Sequence, residues 1–233
     1  MRLLLTAIKK FRNKSLLCRR AGLSSVSKCS EDSGHRADAG RLLLCGSSSV
    51  VLERVREHVE VREDFISEDE ERALLTELEP GLKKKRYEFD HWDDAIHGYR
   101  ETERLQWSAT CEVVLDRVRG VAFPKDSALL GPVHVLDLDK AGYIKPHIDS
   151  VKFCGSTIAG INLLSESVMR LVKEGDSTEW LDLLLPRRSL YILRDQARFS
   201  YTHEILKDEE SFFSGRRVPR HRRISVICRN LPA

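Results

Sequence analysis

The sequence predicts an α+β protein in which N-terminal helices pack against an antiparallel β-sandwich or jelly-roll barrel. Two observations carry this. Helical patterns are confined to the first half of the chain, and from Pro132 onward apolar runs of strand length follow one another between turns. At 233 residues, 41% apolar and 32% charged, the chain has material for one well-buried domain and a terminal extension, not for two full domains.

The extension comes first. Residues 1–30 carry eight Lys or Arg and no acid before Glu31, Leu4, Ile8 and Phe11 recur at helical spacing, and Ser24, Ser25 and Ser27 follow. That is the composition of a mitochondrial transit peptide. A secretory signal fits poorly, because Lys9 and Lys10 interrupt the apolar patch of Leu3 to Leu5. A basic arm that touches nucleic acid is the alternative. Residues 31–50 mix Ser, Gly and charge and read as a linker, which leaves 51–233 as the folded domain. Over residues 31–233, 31 basic residues face 36 acidic ones, a net charge of −5. This lacks the basic footprint of tight phosphate-backbone binding.

Within the domain, Ser67 with Glu70 makes a capping box, and Ala73, Leu74 and Leu78 supply an apolar stripe that Pro80 and Gly81 should stop. A second helix fits Trp107 to Val118, capped by Ser108. Strands are expected at 133–138, 157–164, 168–172, 180–185, 190–193, 199–205 and 223–228. No apolar run approaches the roughly 20 residues of a membrane helix. The six cysteines are scattered without a Cys-x-x-Cys pair, as expected of reduced thiols rather than a disulfide or zinc framework.

His147 and Asp149 form a His-x-Asp pair on a predicted strand, where residues two apart share a face. Ferrous iron in non-haem oxygenases takes two His and one carboxylate on one triangular face, leaving the opposite positions open. His203 lies on a later strand, and Arg223 and Arg229 lie on the last one. A dicarboxylate cosubstrate that chelates iron through its keto-acid end needs a cation for its far carboxylate, and Arg offers a planar, permanently charged partner. A competing His-x-Asp stands at His91 and Asp93, with Asp94 and His97 nearby; it precedes the strand-rich region and reads better as a loop or substrate-facing lid. His134 and His221 read as ordinary strand and surface histidines, and Lys83 to Arg86 as a solvated helix end.

The segments Lys145 to Asp149, His203 and Arg223 to Arg229 together resemble the iron and 2-oxoglutarate motifs of the AlkB family, over about residues 50 to 230. The basic leader, Tyr87 to Trp92 and Asp208 to Phe213 are most similar to its mitochondrial branch. The resemblance implies a double-stranded β-helix of the jelly-roll, cupin-like kind, Fe(II) and 2-oxoglutarate as cofactors, and dioxygen as oxidant. It implies His147, Asp149 and His203 as metal ligands and Arg223 as the clamp on the far carboxylate. Arg229 would brace the inner carboxylate and Asp149, while Tyr191 and Ser225 would contact the cosubstrate; an ordinary core Tyr is the alternative at 191. The chain departs from the family where Leu136 to Asp139 replace an Asn-x-Tyr, and where Ser225 and Ile227 replace Asn and Thr in the last motif. Two hydrogen bonds to 2-oxoglutarate should therefore be missing.

No nucleophile elbow, phosphate-binding Gly loop or zinc signature is found, so hydrolase and nucleotide-binding readings have no support. The resemblance implies an oxidoreductase of the mitochondrial matrix and connects this branch with regulated necrosis and fatty-acid metabolism. Hydroxylation of a protein substrate is the first reading, with the chain acting as a monomer. Oxidative demethylation of N-alkylated bases in mitochondrial RNA is the second, for which Arg216, Arg217, Arg220, Arg222 and Arg223 offer a basic cluster. A cofactor-bound regulatory protein with little turnover is the third.

Overall fold

The computed structural model describes residues 42–91 and 94–232. The predicted transit peptide and most of the linker lie outside the described residues. In chain order the elements are β1 (Leu44–Gly46), α1 (Ser49–Val55), β2 (Val59–Arg62), α2 (Glu68–Leu82), β3 (Glu88–Asp90), β4 (Ile96–Arg104) and α3 (Ala109–Ala122). The strand-rich half follows: β5 (Val133–His147), β6 (Thr157–Leu163), β7 (Ser167–Lys173), β8 (Asp176–Leu185), β9 (Ser189–Arg194), the one-turn α4 (Asp195–Phe199), β10 (Tyr201–Ile205), β11 (Phe212–Phe213), β12 (Arg216–Arg217) and β13 (Arg223–Arg229). No helix among the described residues is long and apolar enough to cross a membrane.

Strand order is β1-β8-β7-β10-β5-β13-β6-β9-β2, all antiparallel, with β4 and then β3 added beside β5. The long β5 explains how one ladder makes two sheets. Its first half, His134 to Leu138, pairs with β13, and its second half, Ile144 to His147, pairs with β10. Between them lies Gly142, where a Cβ would stand 2.4 Å from the carbonyl oxygen of Gly98, so only glycine admits the close approach of β4 at its register shift between His97 and Tyr99. The result is a jelly-roll core, with β5-β13-β6-β9 as one wall and β8-β7-β10 as the other.

Side-chain parity sorts the walls. Val133, Val135, Ile161, Ile192, Ile224 and Val226 face outward into a core shared with α2 and α3. Leu136, Leu138, Ile158, Tyr191, Leu193 and Ile227 face inward against Leu171, Leu183 and Ile205 of the other wall. The helices thus cover one sheet, as the pattern predicts.

The Ser67 capping box forms in both directions, with Glu70 N donating to Ser67 Oγ at 3.2 Å and Ser67 N donating to Glu70 Oε2 at 2.8 Å. Ser108 caps α3 in one direction, accepting from Cys111 N at 3.4 Å. Three expectations need correction. Pro80 does not stop α2, which runs to Leu82; that side chain is fully buried, and its packing carries the last turn past the proline. The strand expected at 133–138 continues to His147. The linker read over 31–50 ends early, because Leu44–Gly46 pairs with Leu181 to Leu183 of β8 and Ser48 caps α1.

Candidate metal and cosubstrate site

Antiparallel pairing of β10 with β5 sets His203 directly opposite His147, with ring centroids 4.3 Å apart. Asp149 follows two residues beyond the end of β5. Its Oδ1 lies 3.3 Å from His147 Nε2 and 3.7 Å from His203 Nε2, so three ligand atoms converge within 4.8 Å of one another. His147 Nδ1 donates to the carbonyl of Lys145 at 2.9 Å, which leaves Nε2 as a lone pair facing the other two groups. Burial pushes His203 down to about 3, so its imidazole stays neutral. Burial alone would raise Asp149, but the charge of Arg229, 2.7 Å away, holds it well below the usual carboxylate range.

The last strand supplies the cations. Arg223, Ser225, Ile227 and Arg229 alternate onto one face of β13 and line the same cavity of about 130 Å³ as the triad. Arg229 Nε donates to Asp149 Oδ2 at 2.7 Å, and one Nη contacts His134 Nδ1 at 3.3 Å; His134 Nε2 in turn meets Glu101 at 2.8 Å. Arg223 is buried; its Nε donates to Asn162 Oδ1 at 2.6 Å and Nη1 reaches Ser225 Oγ at 3.4 Å. Nη2 of Arg223 has no partner, and no carboxylate among the described residues pairs with this guanidinium. A buried cation with a spare donor calls for an anion, and a carboxylate of the cosubstrate fits. Tyr191 stands beside it, its phenol pushed up by burial against the opposing charge of Arg223.

The seven residues that the sequence nominated for iron and cosubstrate, His147, Asp149, Tyr191, His203, Arg223, Ser225 and Arg229, thereby line one cavity, and others join that it did not nominate. Asn162 orients Arg223, and His134, read as an ordinary strand histidine, lines the cavity and supports Arg229. The pocket face of β5 carries Leu136 and Leu138 inward and buries Asp137 on the opposite face. At the competing site, Trp92 and Asp93 lie outside the described residues, while His91 is buried at the cavity wall. Asp94 and His97 group with Asp90 on the surface, and there Lys145 Nζ already meets Asp94 at 2.7 Å.

Two imidazoles and one carboxylate on a single face are the donor set of non-haem iron oxygenases. No family model matches the sequence. The chain is 59% identical over 204 residues to the mouse protein "Alpha-ketoglutarate-dependent dioxygenase alkB homolog 7, mitochondrial", covering 85% of this chain and 92% of that one. It is 59% identical over 187 residues to the bovine protein of the same description, covering 80% and 85%. Among solved structures, OsALKBH1 superposes with a TM-score of 0.56 at 11% identity, over 74% of this chain and 97% of that one. A Pseudomonas putida prolyl-4-hydroxylase superposes at 0.53 and 13% identity, over 79% and 98%, which shows the shared fold. The chain belongs to the mitochondrial alkB homolog 7 family of alpha-ketoglutarate-dependent dioxygenases, enzymes that use Fe(II) and 2-oxoglutarate.

Proposed function

We propose that the chain hydroxylates a carbon of a protein substrate in the mitochondrial matrix, with Fe(II) held by His147, Asp149 and His203. Bound iron supplies dioxygen activation at the expense of 2-oxoglutarate. The residues do the rest: Arg223 and Ser225 anchor the far carboxylate, Tyr191 closes over it, and Arg229 orients both Asp149 and the inner carboxylate. The single observation that carries the protein reading is the fate of the arginine cluster. Arg220 is buried, with Nη1 donating to the carbonyl of Leu206 at 2.5 Å. Arg222 is paired with Asp137 at 2.8 Å and with Glu79 at 2.5 Å, Arg217 is paired with Asp208, and Arg223 faces the pocket. Of that cluster Arg216 and Arg217 alone stay more than half exposed, and the cavity wall is lined by Leu136, Ile144, Ile158 and Met169 rather than by a stack for a flipped base.

One feature favours the RNA reading. Lys83 to Arg86 are exposed and lead into Tyr87 and Phe89, the latter 88% exposed. Titrating labelled mitochondrial tRNA at several salt concentrations separates the readings, since phosphate contacts give a slope of roughly −0.7 per contact on single strands. Weak binding at physiological salt is expected, together with gain of one oxygen by peptides of a mitochondrial extract when Fe(II) and 2-oxoglutarate are added. Sub-micromolar tRNA binding that is lost on neutralising Lys83 to Arg86 would make base demethylation the better reading.

A further inference from the structure

The ligand set comes from two stretches of chain, β5 with its extension and β10, and a side chain outside the cavity ties one to the other. Arg198, on the one-turn helix just before β10, is completely buried. Its Nε donates to the carbonyl of Gly155 and its Nη2 to that of Cys154, both at 3.0 Å, and these carbonyls belong to the loop that follows Asp149. The ring of Phe199 lies 4.7 Å from the guanidinium carbon. Nη1 has no hydrogen-bond partner, and among the described residues no carboxylate forms a salt bridge with Arg198.

A buried guanidinium without a counterion is a costly way to fill space, and an apolar side chain of similar length would pack there more cheaply. Its cost is intelligible if its two carbonyl contacts serve the site. Burial lowers Arg198 from its ordinary value, while the negative charges of Asp149 and Cys154 oppose that. The same loop is held on its other side by the residue that follows Arg229. Gly155 N donates to Asn230 O at 2.8 Å, Thr157 N donates to Asn230 Oδ1 at 2.8 Å, and a Cβ on Gly155 would stand 2.3 Å from the carbonyl oxygen of Leu231.

We propose that Arg198 is a positioning residue for the metal centre, tying the loop behind Asp149 to the turn ahead of His203 and so setting the carboxylate against the second imidazole. This rests on the reading of His147, Asp149 and His203 as ligands. Arg198 touches no reacting atom; it acts through the backbone of residues 150 to 155.

The test uses the full chain with Co(II) as probe, in Arg198→Met, Arg198→Lys and Asp149→Ala. Affinity is followed by Co(II) absorption, and thermal unfolding is measured with and without the metal. Arg198→Met should unfold at a temperature close to that of the unsubstituted protein without metal, yet bind Co(II) about ten-fold or more weakly, with an altered visible band. Arg198→Lys, which keeps the charge and can reach one carbonyl, should recover part of the affinity. Parental Co(II) affinity and spectrum in Arg198→Met, with Asp149→Ala unable to bind, overturns the positioning role. So does a drop in metal-free stability with the metal-induced increment unchanged, which is what a merely structural arginine gives. If Asp149→Ala binds Co(II) normally, the ligand reading itself fails.

Discussion

Asn162 shows how a single buried amide can aim a charge. Its Nδ2 group lies 2.8 to 3.0 Å from the carbonyls of Ser165, Leu185 and Pro186, so its oxygen has one orientation, toward Arg223 Nε. Arg223→Lys keeps the charge but loses the fork and the Asn162 contact; 2-oxoglutarate affinity should fall by about 1.5 to 3 kcal/mol by calorimetry, with iron affinity little changed. Unchanged binding would transfer the clamp to Arg229. Substituting His147, Asp149 or His203 by Ala should abolish stoichiometric iron binding without unfolding the chain, whereas His91→Ala should retain it; metal analysis of the purified variants decides. The triad was legible because the motif is local at His147 and Asp149, and the arginines because alternation on β13 puts positions 223, 225, 227 and 229 on one face. Asn162, His134 and Glu101 were not legible. Each is an isolated polar residue whose partner lies far along the chain, and only the strand order brings Asn162 next to Arg223.

At the scale of elements, the boundaries set by local chemistry were read well and those set by packing were not. Ser67 and Ser108 announce their helices because a cap is a contact within three residues. Pro80 misled because the burial of Leu82 decides where α2 ends, and the full length of β5 was hidden because its second half gains its partners only when β4 and β10 pair with it. Gly160 of β6 illustrates a packing constraint with a functional edge. It pairs with Tyr191 of β9, whose ring lies across it, and a Cβ there would stand 2.5 Å from the phenol atoms. Gly160→Ala should therefore displace Tyr191, costing about 1 to 3 kcal/mol of stability by denaturant titration and weakening 2-oxoglutarate binding. Parental values for both would show that the ring has room to move.

For the molecule as a whole, Asp137 joins layers that share no local sequence. It is completely buried in β5, where it accepts from Arg100 of β4 at 2.7 Å, from Arg222 at 3.0 and 2.8 Å, and from the Tyr87 hydroxyl at 3.2 Å; Arg222 continues to Glu79 on α2. Asp137→Ala strands nearly buried Arg100, and a loss of about 3 to 5 kcal/mol is expected, read as a clear drop in melting temperature. Iron binding by the folded fraction should survive, since the carboxylate faces away from the cavity. A melting temperature that does not move would mean that the two arginines find other partners. Leu43 and Cys45 pack beside Leu184 and Phe213, Leu184 N donates to Leu43 O at 2.8 Å, and β1 closes the outer edge of β8. Any protease that trims the chain past residue 46 would uncover a row of unpaired amides along an apolar strand, a template for self-association. Chains starting at residue 42 should elute as a single species on gel filtration after incubation, and chains starting at residue 51 should drift into soluble aggregates. Equal behaviour of the two would mean that β8 needs no cover, and the expected difference would set a limit, just ahead of Leu43, on how far the chain can be shortened from its N-terminal side.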